Sequence, residues 1–556
     1  MKQSDSKKLI IIGLDGATFD VLDPYIQKGV LPNIERLIHE GVKGKLESTI
    51  PPVTGPSWVS FMTGMWPGKH GIYDFVKPMT ESIKRRAIRY NDIYVPTIWN
   101  YLNKAGKKVG IVNLPMTYPP PSVNGFIIPG LLTPNAEGEF AHPYGLMSEV
   151  QQSAGEYVLD MWWQKYGEAG VEKFLDELIY CTEQRIKTMF YLVEKKQWDI
   201  FIGVFIGTDR IQHYLWQYIH PDGKKLLTQR EQKIVSRVTE YYRHLDRFLG
   251  KLYEMFDGKA NIIIVSDHGF GPLSGKLYIN RWLEENGYLY VYRNRSKMVS
   301  LKGRIFHLLR SIVHAVDPLN LRKKAGIRLR RMERMSAYNF LDCINWTKTL
   351  AYSVSSTEQG IYLNLKGREP DGIVNGSGEY ERIRDEIIQR LKELRDPKTG
   401  EKVVTQIFKR EVLYQGSFVK NAPDIILFLK NGEWLIDVQL KEHLYEDAGW
   451  HTGFGTHRLD GIFIGHGPNI KKGAEITGLR IVDIAPTILY QQGLSIPDKM
   501  DGRPILQIFN EEFLKTRPLL YTHDENHQSL KKEDDRTLSE QELEQIEKNL
   551  KGLGYL

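Results

Sequence analysis

The sequence predicts an α/β fold whose mostly parallel sheet is sandwiched between helices. Three short runs rich in isoleucine and valine support this prediction, at residues 8–14, 199–206 and 261–265. Runs that are apolar without interruption are typical of strands covered on both faces, as in a parallel sheet with helices on either side. Helix-like patterns follow the first two runs, so the chain has the alternation that such a sheet needs.

An aspartate stands at or just beyond the end of each of these runs. Asp15 and Asp209 lie beside glycine or threonine, and Asp267 lies between a serine and His268. Ligands of parallel sheets bind in the crevice at the carboxyl ends of the strands, so we expect the three carboxylates to converge there. Bare convergence would cost repulsion. The pattern therefore predicts positive charge among them, and a metal site in particular.

Helical patterns and further strands accompany these runs. "LPNIERLIHEGV" has apolar residues at helical spacing and ends at Gly41, and "PTIWNYLNKAGKKVGIVNLP" predicts a helix, a glycine turn and a strand. A long helical stretch, "REQKIVSRVTEYYRHLDRFLGKLYEMF", precedes the run at 261–265. Near the carboxyl end, "TLSEQELEQIEKNLKGLGYL" predicts a packed helix with a Ser539-x-x-Glu542 capping box.

Length and composition are those of a globular protein with one large α/β core and an inserted or appended unit. The chain has 556 residues, of which 41% are hydrophobic and 26% charged, and it has only two cysteines. Two cysteines exclude a disulfide framework and a cysteine-based zinc site. The amino terminus lacks the features of a secretory signal, and no stretch approaches the ~20 apolar residues that cross a bilayer. We therefore expect a cytoplasmic protein.

The chain divides into five predicted segments. They are the first part of the core at 7–285 with a helical segment at 139–195, a basic helical insertion at 286–345, a smaller α+β segment at 346–444, the closing part of the core at 445–510, and a charged tail with a terminal helix at 511–556. The core resumes where "GIFIGHGPNIKKG" and "IVDIAPTILYQQG" again show long apolar patterns.

The basic insertion accounts for the positive net charge of +7, because residues 293–335 hold 13 Lys or Arg and 2 Asp or Glu. Three interpretations stay open: a solvated helical cap, a surface that steers anionic substrates, or peripheral contact with an anionic membrane. The side chains that would face lipid are Ile305, Leu308, Leu309 and Ile312. No nucleic-acid motif accompanies the basic residues, and the sequence does not indicate an oligomeric state.

Histidines complete the predicted metal site. In "GTDRIQHYLW", Asp209 and His213 are four residues apart, which on a helix lets both side chains reach one ion. Asp267 and His268 are adjacent, as in a tight loop at a strand end. "GWHTGFGTHRLDGIFIGHGP" supplies further imidazoles before another apolar run. Each feature alone is common, but their combination predicts a metal centre.

A nucleophile is predicted in "STIPPVTGPSWVSFMTGMWPGKHGIYDF", where prolines and a glycine flank Thr54. These residues restrict the backbone and allow a helix to start close by, with its N–H groups directed at an anion. A helix N-cap is the alternative interpretation of Thr54, and nothing prevents both roles.

Taken in order, these motifs resemble the alkaline phosphatase superfamily, and most closely its type I phosphodiesterase/nucleotide pyrophosphatase branch, which includes predicted phosphohydrolases or phosphomutases. The matching motifs are Asp15 after a strand, Pro-Pro-Val-Thr54-Gly-Pro-Ser-Trp, Thr-Gly-x-x-Pro-Gly-Lys-His-Gly, Asp209-x-x-x-His213, Ser-Asp267-His268-Gly and Gly-Thr-His457-Arg. The resemblance covers most of 7–115, 199–285 and 445–510. It implies an alkaline-phosphatase-like sheet with the basic segment as an inserted helical cap.

The resemblance also implies two divalent metal ions, with Zn²⁺ favoured and Mn²⁺ as the alternative. The implied ligands are Asp209, His213 and His457 for one ion, and Asp15, Asp267, His268 and the Thr54 oxygen for the other. His451 competes with His457 for the last position, and the context "THRLDGIFIGHGP" favours His457.

The implied activity is hydrolysis of an anionic phosphoester through a phospho-threonine on Thr54, as in a phosphodiesterase/nucleotide pyrophosphatase. Ser57 and Trp58 differ from the residues that nucleotide pyrophosphatases carry near the nucleophile. A phosphomonoesterase or phosphomutase on the same two-metal site is the first alternative, for which Lys69 could bind the extra charge. A non-catalytic metal-binding scaffold is the second. A sulfatase is excluded because the Cys/Ser-x-Pro-x-Arg setting is missing around Thr54.

Overall fold

A computed structural model describes most of the chain. The described residues are 8–78, 85–136, 138–161, 166–219, 226–292, 340–450, 452–523 and 539–553. The basic segment 293–335, with the side chains predicted to face lipid, and His451 both lie outside the described residues. Within the described ranges, every helix is too short or too polar to span a membrane.

The helices of the described part begin and end at these residues: α1 (Phe19–Gln27), α2 (Pro32–His39), α3 (Thr54–Thr63), α4 (Pro67–His70), α5 (Ile98–Lys104), α6 (Leu146–Ala154), α7 (Val171–Lys195), α8 (Gly207–Ile219), α9 (Gln229–Phe256), α10 (Ile279–Glu285), α11 (Glu379–Lys392), α12 (Arg410–Leu413), α13 (Ile484–Gln491), α14 (Glu511–Thr516) and α15 (Glu540–Leu553).

The strands of the described part are β1 (Lys8–Leu14), β2 (Val42–Glu47), β3 (Val76–Pro78), β4 (Arg85–Ala87), β5 (Val109–Leu114), β6 (Gly125–Pro129), β7 (Ile200–Phe205), β8 (Ala260–Val265), β9 (Gly269–Pro272), β10 (Gly275–Tyr278), β11 (Ala351–Tyr352), β12 (Gly360–Leu363), β13 (Val404–Lys409), β14 (Ile425–Leu429), β15 (Trp434–Asp437), β16 (Tyr445–Asp447), β17 (Gly455–Arg458), β18 (Asp460–His466), β19 (Ala474–Glu475), β20 (Leu479–Arg480), β21 (Ile496–Pro497) and β22 (Tyr521–Thr522).

The first sheet has the order β19-β2-β18-β8-β1-β7-β5-β6, with β20 beside β2. Strands β6, β5, β7, β1 and β8 are parallel to one another, whereas β18 is antiparallel to both β8 and β2. Helices α2, α7, α8 and α9 pack together as one group, and α3, α5 and α13 as another. Side chains of β1, β7 and β8 are buried along their whole length after Lys8, as the uninterrupted apolar runs predict.

Register brings the ends of the three central strands to one edge. Leu14 pairs with Phe205, Gly13 pairs with Val265, and the Asp15 N–H donates to the Phe205 carbonyl. Strand β1 therefore ends level with β7 and β8, and the chain leaves all three strands on the same side. The mostly parallel α/β sheet predicted from the sequence is confirmed.

A second sheet has the order β11-β12-β14-β15-β10-β16, with β13 beside β14. It encloses an apolar cluster of its own, which includes Leu277, Trp282, Ile361, Ile425 and Ile436. Strand β10 pairs in parallel with β15, and the other strand pairs are antiparallel. The predicted boundaries of the five segments stay a prediction.

Strands β9 and β17 form a separate two-stranded antiparallel ribbon. Arg458 in β17 donates hydrogen bonds to the carbonyls of Gly432 and Pro272, which joins the turn before β15 to the end of β9. The ribbon follows β8 directly, so residues just beyond β8 and residues of β17 share one neighbourhood.

The terminal helix α15 has the predicted capping box. The Glu542 N–H donates to the Ser539 hydroxyl, while the Glu542 carboxylate accepts from the Ser539 N–H. Ile546 and Leu550 are buried in the main core, and Glu542 also accepts from the Tyr118 hydroxyl. The helix is packed, as the apolar spacing predicts.

Buried His70 is held in its neutral form between α3 and α4. The Ile72 N–H donates to His70 Nδ1, so Nε2 carries the proton and donates to the Ser60 hydroxyl 3.0 Å away. Burial lowers the pKa of His70 to about 3. An unfolded histidine titrates near 6.5, so as the pH falls this side chain is protonated in the unfolded chain before it is in the folded one. Protonation of the unfolded chain lowers the free energy of unfolding.

We expect this histidine to make the protein less stable in mild acid. Lowering the pH from 7.5 to 5 should remove about 2 kcal/mol of unfolding free energy through His70 alone. His70→Gln should abolish that part of the pH dependence, measured by urea unfolding at both pH values, whereas His39→Gln at an exposed site should leave it intact. An unchanged pH dependence in His70→Gln would contradict the assignment.

Candidate metal centre

All seven residues predicted to form the metal centre lie together at the carboxyl edge of the first sheet. They are Asp15, Thr54, Asp209, His213, Asp267, His268 and His457. The three aspartates and His268 are completely buried, and Thr54 is 1% exposed. The cluster has two halves that share His268.

The first half surrounds the Thr54 hydroxyl. Thr54 Oγ1 lies 3.2 Å from His268 Nε2 and 3.5 Å from Asp15 Oδ1. Asp267 Oδ2 lies 3.3 Å from the same imidazole nitrogen. Donor atoms of Asp15, Asp267 and His268 all lie within 4.8 Å of one another.

The second half surrounds Asp209. Its Oδ1 atom lies 3.3 Å from His213 Nε2 and 3.3 Å from His457 Nε2, and these two nitrogens are 3.0 Å apart. The His457 ring stacks on the His268 ring with 3.8 Å between centroids, which joins the two halves. Donor atoms of Asp209, His268 and His457 lie within 4.8 Å of one another.

Local structure explains how each side chain reaches the cluster. Asp209 and His213 lie one turn apart on α8, as their spacing predicts. Asp267 and His268 occupy the short link between β8 and β9, and the Gly16 N–H, in a turn with φ of 68°, donates to Asp267 Oδ1. Glycine tolerates this left-handed conformation, which brings the Asp15 turn against Asp267.

Thr54 is the first residue of α3, and Val53 occupies the N-cap position. The interpretation of Thr54 as the N-cap is therefore wrong. Its hydroxyl faces His268 and Asp15 instead of the backbone of its own helix.

Backbone carbonyls set the tautomer of each imidazole in the cluster. Nδ1 lies 3.1 Å from the Gly455 carbonyl in His213, 3.0 Å from the Gly269 carbonyl in His268, and 2.7 Å from the Pro52 carbonyl in His457. A carbonyl only accepts, so each Nδ1 carries a proton and each neutral ring presents the lone pair of Nε2 to the cluster. This arrangement is typical of metal-binding histidines.

Several acceptor atoms of the cluster accept no hydrogen bond from the described residues. Burial lowers the pKa of His268 and of His457, so both rings are neutral and each presents the lone pair of Nε2 to the cluster. Among the described residues, nothing donates a hydrogen bond to Asp209 Oδ1 or to Asp267 Oδ2, although both are buried. Leaving such groups unpaired is expensive. The oxygen and nitrogen donors fit divalent cations such as Zn²⁺ or Mn²⁺.

The carboxylates show the same need for positive charge. Burial raises the pKa of Asp15 and of Asp267 well above the usual range, and the charge of Asp209 raises both further. Burial also opposes ionisation of Asp209, but neighbouring groups, including the guanidinium of Arg210, hold its pKa well below the usual range.

Two residues that contact the cluster were not predicted from the sequence. The Trp58 indole N–H donates to Asp15 Oδ2 at 2.9 Å, and Arg210 donates to Asp209 Oδ2 at 2.6 Å. Trp58 lies four residues after Thr54, and this helical spacing could have indicated that both face Asp15. Arg210 follows Asp209 directly, and adjacency on a helix indicates no contact.

Lys69, the residue considered for binding the extra charge of a monoester, is engaged elsewhere. Its Nζ atom lies 2.7 Å from Asp501 Oδ1 and donates to the Lys499 carbonyl. Lys69 therefore connects α4 to the segment that contains Lys499 and Asp501.

Comparisons with known proteins identify the fold and the family. The sequence model of the family "Type I phosphodiesterase / nucleotide pyrophosphatase" matches residues 9–454. A curated relative, ectonucleotide pyrophosphatase/phosphodiesterase C27A7.1 of Caenorhabditis elegans, is 31% identical over 109 residues, which are 18% of this chain and 12% of that protein. The match thus spans only about an eighth of the relative's length.

Two solved structures are similar over most of the chain. Phosphonoacetate hydrolase from Sinorhizobium meliloti 1021, in complex with phosphonoformate, has a TM-score of 0.51 and 17% identity over 88% of this chain and 95% of that one. An inactive form of murine ectonucleotide pyrophosphatase/phosphodiesterase 5, in complex with AMP, has a TM-score of 0.48 and 14% identity over 91% of this chain and 100% of that one.

The predicted fold class is therefore confirmed: an α/β fold with a mostly parallel central sheet flanked by helices, similar to that of phosphonoacetate hydrolase. Because the family match covers most of the sequence, the chain belongs to the type I phosphodiesterase/nucleotide pyrophosphatase family.

Proposed function

We propose that this chain is a metal-dependent phosphoester hydrolase that acts through a phospho-threonine on Thr54, and that its substrate is a phosphodiester or nucleotide pyrophosphate. The observation that carries the proposal is the position of the Thr54 hydroxyl, 3.2 Å from His268 Nε2 within a buried cluster of three aspartates and three histidines. The family match supports the same reaction class.

Two divalent cations would occupy the two halves of the cluster, with Zn²⁺ proposed and Mn²⁺ as the alternative. The proposed ligands are Asp209, His213 and His457 for one ion, and Asp15, Asp267, His268 and the Thr54 oxygen for the other. When bound, such ions supply the positive charge that lowers the pKa of a ligating hydroxyl and offsets charge on a phosphoryl group.

The protein's own groups orient the nucleophile. Because His268 Nδ1 donates to the Gly269 carbonyl, its Nε2 atom faces the Thr54 oxygen, as does Asp15 Oδ1. Both atoms are proposed metal ligands, so the Thr54 proton would leave to solvent. The Thr54 oxygen then forms a bond to phosphorus while the bond from phosphorus to the leaving oxygen breaks. Water subsequently attacks phosphorus and regenerates the hydroxyl.

Helix α3 adds a favourable field for this step. Thr54 is its first residue, so the unpaired N–H groups of the first helical turn lie next to the nucleophile. These groups and the helix dipole stabilise an anion at the amino end. Trp58, one turn later, donates to Asp15 and restricts the carboxylate that contacts the Thr54 hydroxyl.

The pairing of Lys69 and Arg210 with carboxylates of the protein favours a diester over a monoester as substrate. A monoester carries one more charge, which phosphomonoesterases commonly offset with an additional basic side chain. Here Lys69 pairs with Asp501, and Arg210 pairs with Asp209 and Asp160. Both charges are therefore already balanced by carboxylates of the protein.

Thr54→Ala should abolish turnover, because it removes the nucleophilic oxygen and leaves the helix start unchanged. We expect kcat for the best phosphodiester to fall by at least about 10³-fold. Thr54→Ser, which retains a hydroxyl, is the matched control and should stay far more active. If a purified Thr54→Ala protein kept near wild-type activity, another group would have to be the nucleophile.

Removal of metal should abolish activity and lower stability together. Dialysis against a chelator should leave an inactive chain with a lower melting temperature, since ions that bind only the folded state stabilise it by about 3 kcal/mol at a hundredfold excess over Kd. Elemental analysis of the active protein should find two ions per chain, and adding back Zn²⁺ or Mn²⁺ should restore both properties. Full activity in metal-free protein would exclude the proposed chemistry.

Substrate preference should separate the remaining alternatives. We expect kcat/KM for bis-p-nitrophenyl phosphate to exceed that for p-nitrophenyl phosphate. The opposite preference would indicate a phosphomonoesterase or phosphomutase on the same site. Two bound ions without turnover of any phosphoester in a panel of nucleotides, lipids and sugar phosphates would indicate a metal-binding scaffold.

A further inference from the structure

Arg210 lies against Asp209 on the side that faces away from the imidazoles. We propose that Arg210, held in place by Asp160, is a positioning residue that fixes Asp209 so that its Oδ1 atom alone is offered to a cation. The inference rests on the proposed function in one respect, because it assumes that Asp209 binds a divalent ion.

The contacts of Arg210 with Asp209 and Asp160 are short, and these side chains are buried or nearly so. Its Nη1 atom donates to Asp209 Oδ2 at 2.6 Å, and its Nη2 atom donates to Asp160 Oδ2 at 2.8 Å. The side chains of Arg210, Asp209 and Asp160 are 2%, 0% and 9% exposed. Arginine suits this role because its rigid planar guanidinium directs two parallel sets of donors.

The two oxygens of Asp209 therefore have different surroundings. Oδ2 is occupied by Arg210, whereas Oδ1 lies 3.3 Å from both His213 Nε2 and His457 Nε2 and accepts no hydrogen bond from the described residues. Rotation of the carboxylate would break the bond to Arg210. Asp209 is therefore held with one oxygen available to an ion.

The position of Asp160 does not depend on Arg210. Arg185 of α7 donates to the carbonyls of Val158 and Leu159 at 2.7 and 2.6 Å, which anchors the two residues before Asp160 to α7. The Met161 N–H donates to Asp160 Oδ1, so the other oxygen of Asp160 is left for Arg210. The loop thus presents a fixed carboxylate, against which the guanidinium is oriented.

Charge compensation alone does not explain the arrangement. The positive charge of Arg210 is balanced by Asp160, so the pair as a whole adds no net charge beside Asp209. A buried arginine–aspartate pair loses hydration on folding, which makes the free energy of folding less favourable than it would be with apolar residues of similar size. The geometry that the pair imposes on Asp209 is the property that an apolar pair could not supply.

The same pair argues against contact between Arg210 and substrate. Both terminal nitrogens of the guanidinium are engaged by carboxylates of the protein, and the side chain is buried. Arg210 therefore acts on the reaction only through Asp209, and its effect should be seen in metal affinity.

The test compares Zn²⁺ binding by full-length metal-free protein and a charge-neutral double variant. Asp160→Asn with Arg210→Met removes both charges together, so the net charge around Asp209 stays as in the wild type while its orientation is lost. Titration with Zn²⁺ in a competing chelator should show one of two sites weakened by about 10- to 100-fold, the range typical for loss of a group that orients a metal ligand. The other site should keep its affinity.

A remote pair of the same kind is the matched control. Arg368 donates to Asp424 through both terminal nitrogens within the second sheet, so Asp424→Asn with Arg368→Met removes an equivalent pair. This control should lower stability without changing either Zn²⁺ affinity. A drop in Zn²⁺ affinity in the control as large as in the Asp160/Arg210 variant would overturn the inference, because general destabilisation would then explain both.

The single variant Asp160→Asn decides the question if the double variant does not fold. It leaves Arg210 unbalanced and less well oriented, so one Zn²⁺ site should again weaken by at least about 10-fold. Wild-type affinity at both sites in either folded variant would overturn the positioning role. Failure of the wild-type protein to bind two Zn²⁺ ions would instead contradict the proposed function, so the two failures are distinguishable.

Discussion

Three buried carboxylates at one edge of a parallel sheet are the feature to which the surrounding structure is adapted. Asp15, Asp209 and Asp267 lie beyond the ends of β1, β7 and β8, and none of them is exposed. The parallel register brings the strand ends level, so each strand delivers its carboxylate to the same place whatever the distance in sequence. Since such charges repel and lose hydration, the neighbouring groups must compensate them.

That compensation is incomplete in the protein alone. Gly16, Trp58 and Arg210 each donate to one oxygen of a different aspartate, which leaves the second oxygen of Asp209 and of Asp267 without a donor among the described residues. Donors thus occupy the outward oxygens, and the inward oxygens face the imidazole nitrogens of His213, His268 and His457. On the far side of each imidazole, a backbone carbonyl accepts a hydrogen bond from Nδ1, which directs Nε2 toward the inward oxygens.

The parts of this site that could be predicted from the sequence are those with local signals. Uninterrupted apolar runs indicated β1, β7 and β8, and the spacing of Asp209 and His213 indicated one face of a helix. The antiparallel insertion of β18 beside β8 and the pair of Arg210 with Asp160 could not be predicted. They depend on how distant segments pack, and neither leaves a periodic pattern. His457 came only from the family resemblance, because a histidine in a two-stranded ribbon has no distinctive spacing.

The same arrangement links stability to metal binding. Two buried oxygens without donors among the described residues raise the free energy of the folded chain relative to a cluster whose polar groups are all paired. A cation would relieve these costs only in the folded state, because the unfolded chain does not hold the seven residues together. The hydrogen bonds from Gly16 and Arg210 hold the Asp267 and Asp209 carboxylates in the orientations that leave these oxygens without donors. The protein therefore retains a cluster with unpaired buried oxygens, which the proposed ions would pair.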